Sequence, residues 1–143
     1  MKTFAFRLEK VLRWREANVE LEQFKLSRLA AECAQWDRLV AQLDEARCQA
    51  EKTVLASGSV GGGELGALAR FKESLRQQKQ TAVGRRQECE RKMEQQRGRL
   101  LAARREFRLL DRLRQVRRAE WEMLINREFE ALAAENHLAR WNR

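Results

Sequence analysis

The chain has 143 residues, a formal net charge of +9, 36% charged residues, 7% aromatic residues, and neither proline nor tyrosine. The length would suit one ordinary domain, but this composition marks long helices or a coiled coil rather than a thick globular core. No run of about 18 apolar residues is present, so no transmembrane helix is expected, and the mixed charge after Arg7 is unlike a cleaved secretion signal.

The first predicted element is a helix over residues 4–56. Apolar residues recur at spacings of three and four through Ala5, Leu8, Leu12, Val19, Leu26, Leu29, Cys33, Trp36, Val40, Leu43, Ala50 and Val54. That alternation is the heptad rule for helices that wind around a partner. Arg15, Glu22 and Arg47 are polar entries in the same seam.

A glycine-rich turn is predicted over 57–66, which holds five of the seven glycines. Glycine loses the most conformational freedom on folding and takes positive φ readily, so this cluster should end the first helix and reverse the chain. A second helix is predicted over 67–140. Its seam begins Leu68, Phe71, Leu75, Gln78, Ala82, Arg85 and Cys89, then Met93 follows after four residues where three was due. The pattern resumes through Gln96, Leu100, Ala103, Phe107, Leu110, Trp121 and Leu124. Two fours in succession resemble a stutter, which unwinds a supercoil locally. Gly84 and Gly98 flank that point and weaken the helix by about 1 kcal/mol each relative to alanine.

The fold class that follows is all-α: a two-helix antiparallel coiled-coil hairpin, one coiled coil over 1–143, with a longer, overhanging second helix. Folding the chain near Gly61 pairs residues whose numbers total about 122. This sets Val54 against Leu68, Val40 against Ala82, Leu29 against Met93, Val19 against Ala103 and Leu12 against Leu110. Cys33 then faces Cys89, either as two small apolar core residues or as an inducible disulfide. Residues beyond about 120 have no counterpart in the first helix, yet carry Trp121, Leu124, Ile125, Phe129, Leu132, Leu138 and Trp141. An apolar face of that kind is expected to be covered by a partner or by local folding back.

Charge is uneven: residues 85–118 hold 13 Arg or Lys against 5 Asp or Glu. Three readings stay open for this segment, namely a solvated helix surface, an acidic protein partner, or nucleic-acid phosphates. Chemistry is sparse by comparison. His137 is the only histidine. Cys33, Cys48 and Cys89 lack metal-ligand spacing and fit a reducing cytoplasm. The glycine run has no Gly-Lys-Ser/Thr after it, so it is no phosphate loop. No catalytic residue, cofactor or metal site is expected.

The opening Phe4-Ala5-Phe6-Arg7-Leu8-Glu9-Lys10-Val11-Leu12-Arg13-Trp14-Arg15 resembles the N-terminal stretch of the FliJ family of flagellar type III export proteins, in which Phe-x-Phe-x-Leu leads to a Leu and an Arg. The hairpin and longer second helix are similar too, so the resemblance spans essentially the whole chain. It implies a cytoplasmic stalk, peripheral at the export apparatus, that enters a hexameric export ATPase. It also implies contact with the cytoplasmic domain of the export gate protein FlhA and with export chaperones and the ATPase regulator. On this reading the ATPase end comprises Leu8, Leu12, Trp14, Arg114, Arg117, Arg118 and Trp121. Phe71 and Leu75 stand where the family makes its gate contact. The corresponding stalk of a virulence secretion system is a close variant, and a nucleic-acid-binding basic coiled coil is the rival from another class.

Overall fold

The computed structural model describes residues 3–141; Met1, Lys2, Asn142 and Arg143 lie outside the described residues. Two helices make up the fold, α1 over Glu9–Ala56 and α2 over Gly62–Trp141, packed against each other as a two-helix hairpin with no strand among the described residues. The chain falls into two compact units: a connector unit, Glu22–Arg99, and a terminal unit formed by Met1–Leu21 and Leu100–Arg143.

In the connector unit α1 stops at Ala56, where the Ser57 hydroxyl donates to the Val54 carbonyl at 2.7 Å. Gly58 follows with φ 71°, the left-handed conformation that an L side chain resists and that commonly closes a helix C-terminus. The reversal takes only residues 57–61. Expectation and structure part here, because Gly62, Gly63 and Gly66 lie inside α2 rather than in the turn. The backbone N–H groups of Glu64 and Leu65 both donate to the Gly61 carbonyl at 3.1 Å, and Glu64 puts a carboxylate in the first turn, where the helix dipole favours it. A glycine penalty of about 1 kcal/mol per residue does not stop a helix that is anchored in this way.

The seam of this unit buries Leu43, Leu75, Ala82 and Cys89. Its register is fixed by contacts between the helices. Lys79 holds Asp44 at 2.8 Å, Lys72 holds Glu51 at 2.7 Å, Arg86 pairs with Asp37, and Cys33 meets Cys89. These pairs total 122 or 123, the offset expected from folding near Gly61.

Inside the same seam sits a buried polar pair. The Gln96 side-chain amide donates to the Glu22 carboxylate and, at 3.1 Å, to the Glu22 backbone carbonyl. Lys25 adds a third contact at 3.1 Å from Nζ to the same carboxylate. The hydrogen bond from Gln96, then that from Lys25, hold the Glu22 carboxyl below its ordinary range.

In the terminal unit Leu12, Leu100 and Ala103 are buried. Arg15 pairs with Glu106 and Arg114 with Glu9 at 3.5 Å, again numbers totalling 121 and 123. α1 begins at Glu9, five residues later than the expected start at Phe4. The reason lies in a change of period. Phe4 and Phe6 are half-buried while Ala5 and Arg7 are exposed, an alternation of two that only extended chain can deliver. Residues 3–6 thus form a short N-terminal arm, and the Phe4 ring packs 6.0 Å from that of Trp121. Beyond Ile125 every described residue of α2 is exposed.

Candidate partner-binding surfaces

The arm and the α2 stretch it covers bring together most of the residues expected at one end of the hairpin. Phe4, Phe6, Leu8, Leu113, Arg117 and Trp121 line one groove of the terminal unit. Leu8 is exposed there and Trp121 half-buried. Trp14 projects with 59% of its surface exposed, and the Arg15 guanidinium lies over its ring at 4.7 Å. Leu12 differs from these neighbours: at 3% exposure it is a packing residue, which holds the surface in place and does not present itself to a partner.

The arginines of this surface are held by carboxylates. Arg114 bridges Asp111 at 2.9 Å and Glu9 at 3.5 Å, Arg117 reaches Glu120 at 3.1 Å and Arg118 reaches Glu122 at 3.0 Å. Exposed pairs of this type contribute about 0–1 kcal/mol each, so they orient the guanidinium groups without locking them. A partner carboxylate can therefore exchange with Glu120 or Glu122 at small cost.

The gate-type pair divides in the same way. Leu75 is 8% exposed and belongs to the seam of the connector unit, whereas Phe71 is 46% exposed. Phe71 lines a shallow groove with Ala50, Val54 and Leu68. A partner on this face meets Phe71 and not Leu75. Both residues occupy seam positions in the sequence, and spacing alone does not distinguish the buried one from the exposed one.

Along the Arg-rich stretch 85–118, at least seven of the thirteen basic side chains are engaged by carboxylates. Besides Arg114, Arg117 and Arg118, these are Arg85 with Glu88, Arg86 with Asp37 and Glu90, Lys92 with Glu88 and Arg97 with Glu94. His137 is exposed and lies 6.3 Å ring to ring from Trp141. Among the described residues no group of three or more His, Cys, Asp or Glu is placed to hold a metal ion, and no helix is long and apolar enough to cross a membrane.

Two features escaped the sequence reading. The arm carried a signal in its two phenylalanines one residue apart, a strand-like spacing inside a helical prediction. The Glu22–Gln96 pair carried one too, as the polar seam entries of two facing helices. No family model matches this chain, and neither a curated protein nor a solved structure is similar to it at a significant level.

Proposed function

We propose that this chain is a non-enzymatic stalk or coupling component of a flagellar type III protein export apparatus. In this role it binds the hexameric export ATPase and the cytoplasmic domain of the export gate. The observation that carries the reading is the terminal unit. There an aromatic N-terminal arm and loosely held arginines at 114, 117 and 118 line adjoining grooves, and the exposed Trp14 stands on α1 of the same unit. Such a surface suits insertion into an acidic, apolar-lined protein channel: aromatic anchors supply most of the contact energy and arginines meet carboxylates bidentately. Coupling needs no chemistry in the stalk itself. A hairpin seated among ring subunits stabilises one set of subunit contacts over another, and so raises ring assembly or ATP hydrolysis. Phe71 provides the gate contact, and the exposed apolar residues from Phe129 to Trp141 provide a further docking segment for chaperones or the ATPase regulator.

The test is a pull-down of the cognate export ATPase and of the gate domain, with the ATPase rate measured alongside. The full chain should bind both and stimulate hydrolysis. Trp14→Ala with Arg117→Glu should lose the ATPase and keep the gate; Phe71→Ala should do the reverse. Full binding by all variants, or binding by none including the wild type, removes this reading. A stalk of a virulence secretion system shares the same surface chemistry and is distinguished by which cognate ATPase it stimulates. A nucleic-acid-binding basic coiled coil is the rival reading, and it predicts binding to DNA or RNA that falls steeply with salt and is abolished by charge reversal at Arg104, Arg105 and Arg108.

A further inference from the structure

The seam of the connector unit holds two thiols in direct contact. Cys33 on α1 donates to Cys89 on α2 with their sulfurs 2.7 Å apart, and the Cys89 thiol donates onward to the Leu29 carbonyl at 3.4 Å. Cys89 is 2% exposed, whereas Cys33 is half-buried. The third thiol, Cys48, makes no part of this contact. This layer differs from its apolar neighbours in its chemistry: one half-buried thiol backed by one buried thiol, on different helices. We infer that Cys33 and Cys89 form a thiol–disulfide exchange site for low-molecular-weight disulfides, closing reversibly into a crosslink that pins α1 to α2.

The step balances without any other reactant. The Cys33 thiolate attacks one sulfur of a small disulfide such as oxidised glutathione; that S–S bond breaks, a mixed disulfide forms on Cys33, and one small thiol leaves. The Cys89 thiolate then attacks the Cys33 sulfur, the mixed S–S bond breaks, and the second small thiol leaves. The two protein thiols give up two electrons and two protons, and the small disulfide takes up both. Excess thiol runs the sequence backwards. Arg86 on α2 interacts electrostatically with Cys33, while Glu32 on α1 and Lys92 on α2 do so with Cys89. Burial and then the hydrogen bond with Cys33 push the Cys89 thiol up to about 12. Once Cys33 is held in the mixed disulfide that hydrogen bond is gone, while burial still disfavours the Cys89 thiolate, so the second step quickens as pH rises.

The experiment uses the full chain and oxidised glutathione, followed by peptide mapping under non-reducing conditions. A monomer lighter by two protons with Cys33 joined to Cys89 is expected, with Cys48 free. Cys48→Ser should close equally well, and Cys33→Ser and Cys89→Ser should not close at all. The closed form should unfold at a higher temperature than the open form and return on addition of dithiothreitol. Mapping of the wild type needs no variant to fold. Glutathione retained on Cys33 without resolution, crosslinking through Cys48 alone, or three unmodified thiols each overturns the inference. None of these outcomes bears on export-apparatus binding, which is measured on the reduced protein.

Discussion

At the scale of single residues, the Glu22–Gln96 pair has the clearest consequence. Its members are both buried and each is the other's hydrogen-bond partner, so removing one strands the other. Glu22→Ala leaves the Gln96 amide without its carboxylate and should cost about 1–3 kcal/mol, read from chemical unfolding. The pair also sets a pH dependence. The folded-state pKa of Glu22 is depressed, so its contribution is present above the ordinary value of 4.5 and is lost as pH falls through the folded value. Glu22→Gln should flatten that part of the stability-versus-pH curve below about pH 4.5, with its largest cost at neutral pH, where the carboxylate's contribution is fully present, and a shrinking cost on acidification. Leu12 and Trp14 supply a second contrast, two residues apart with opposite roles. Leu12→Ala should cost about 2–5 kcal/mol of stability as a buried leucine. Trp14→Ala should stay within about 0.5 kcal/mol of wild type in an unfolding titration, because most of the ring is already in water. If the two shifted stability equally, the assignment of one to packing and the other to contact would fail.

At the scale of elements, the heptad spacing carried nearly all of the fold. Helix type, the antiparallel pairing and an offset near 122 were all legible, because two apolar seams interlock at only one register. Boundaries were less so. α2 starts at Gly62 since local hydrogen bonding to Gly61 and a first-turn carboxylate outweigh glycine's entropy, a balance that a propensity argument counts on one side only. The helix is expected from Phe4 because Ala5 and Leu8 continue the three-and-four seam, whereas in the fold Phe4 turns to pack on Trp121. Within α2, Gly84 and Gly98 are exposed helical positions at which an added Cβ meets nothing within 4 Å. Gly84→Ala and Gly98→Ala should therefore each stabilise by about 1 kcal/mol, measured as a raised unfolding midpoint. A loss of stability at either would mean that the helix needs its weak point there.

At the scale of the whole molecule, the exposed end of α2 separates what holds the fold from what meets other molecules. Residues 126–141 have no buried side chain, yet include Phe129, Leu132, Leu138 and Trp141. A chain ending after Ile125 should keep its unfolding midpoint within a few degrees of wild type by circular dichroism, while losing any partner that this segment docks. The exposed apolar residues of this segment are legible in the sequence as positions without a counterpart on α1. The candidate site was legible only in part. Residue types at 8, 14, 117 and 121 pointed to a contact surface, but which of the neighbouring apolar residues face outward depends on packing depth, and spacing alone does not encode depth.

The five-residue reversal at 57–61 also governs how the connector unit assembles. Its contacts span 35 residues at Lys79–Asp44, 49 at Arg86–Asp37, 56 at the two cysteines and 74 at Gln96–Glu22. Pairing that starts beside Gly58 can zip outward, each new layer ordering one or two further turns of each helix instead of closing a fresh loop of 74 residues. Cutting the backbone at this reversal, with every side-chain contact intact, turns a unimolecular pairing into an association of two strands. Stability would then depend on protein concentration, and dilution alone would unfold the unit.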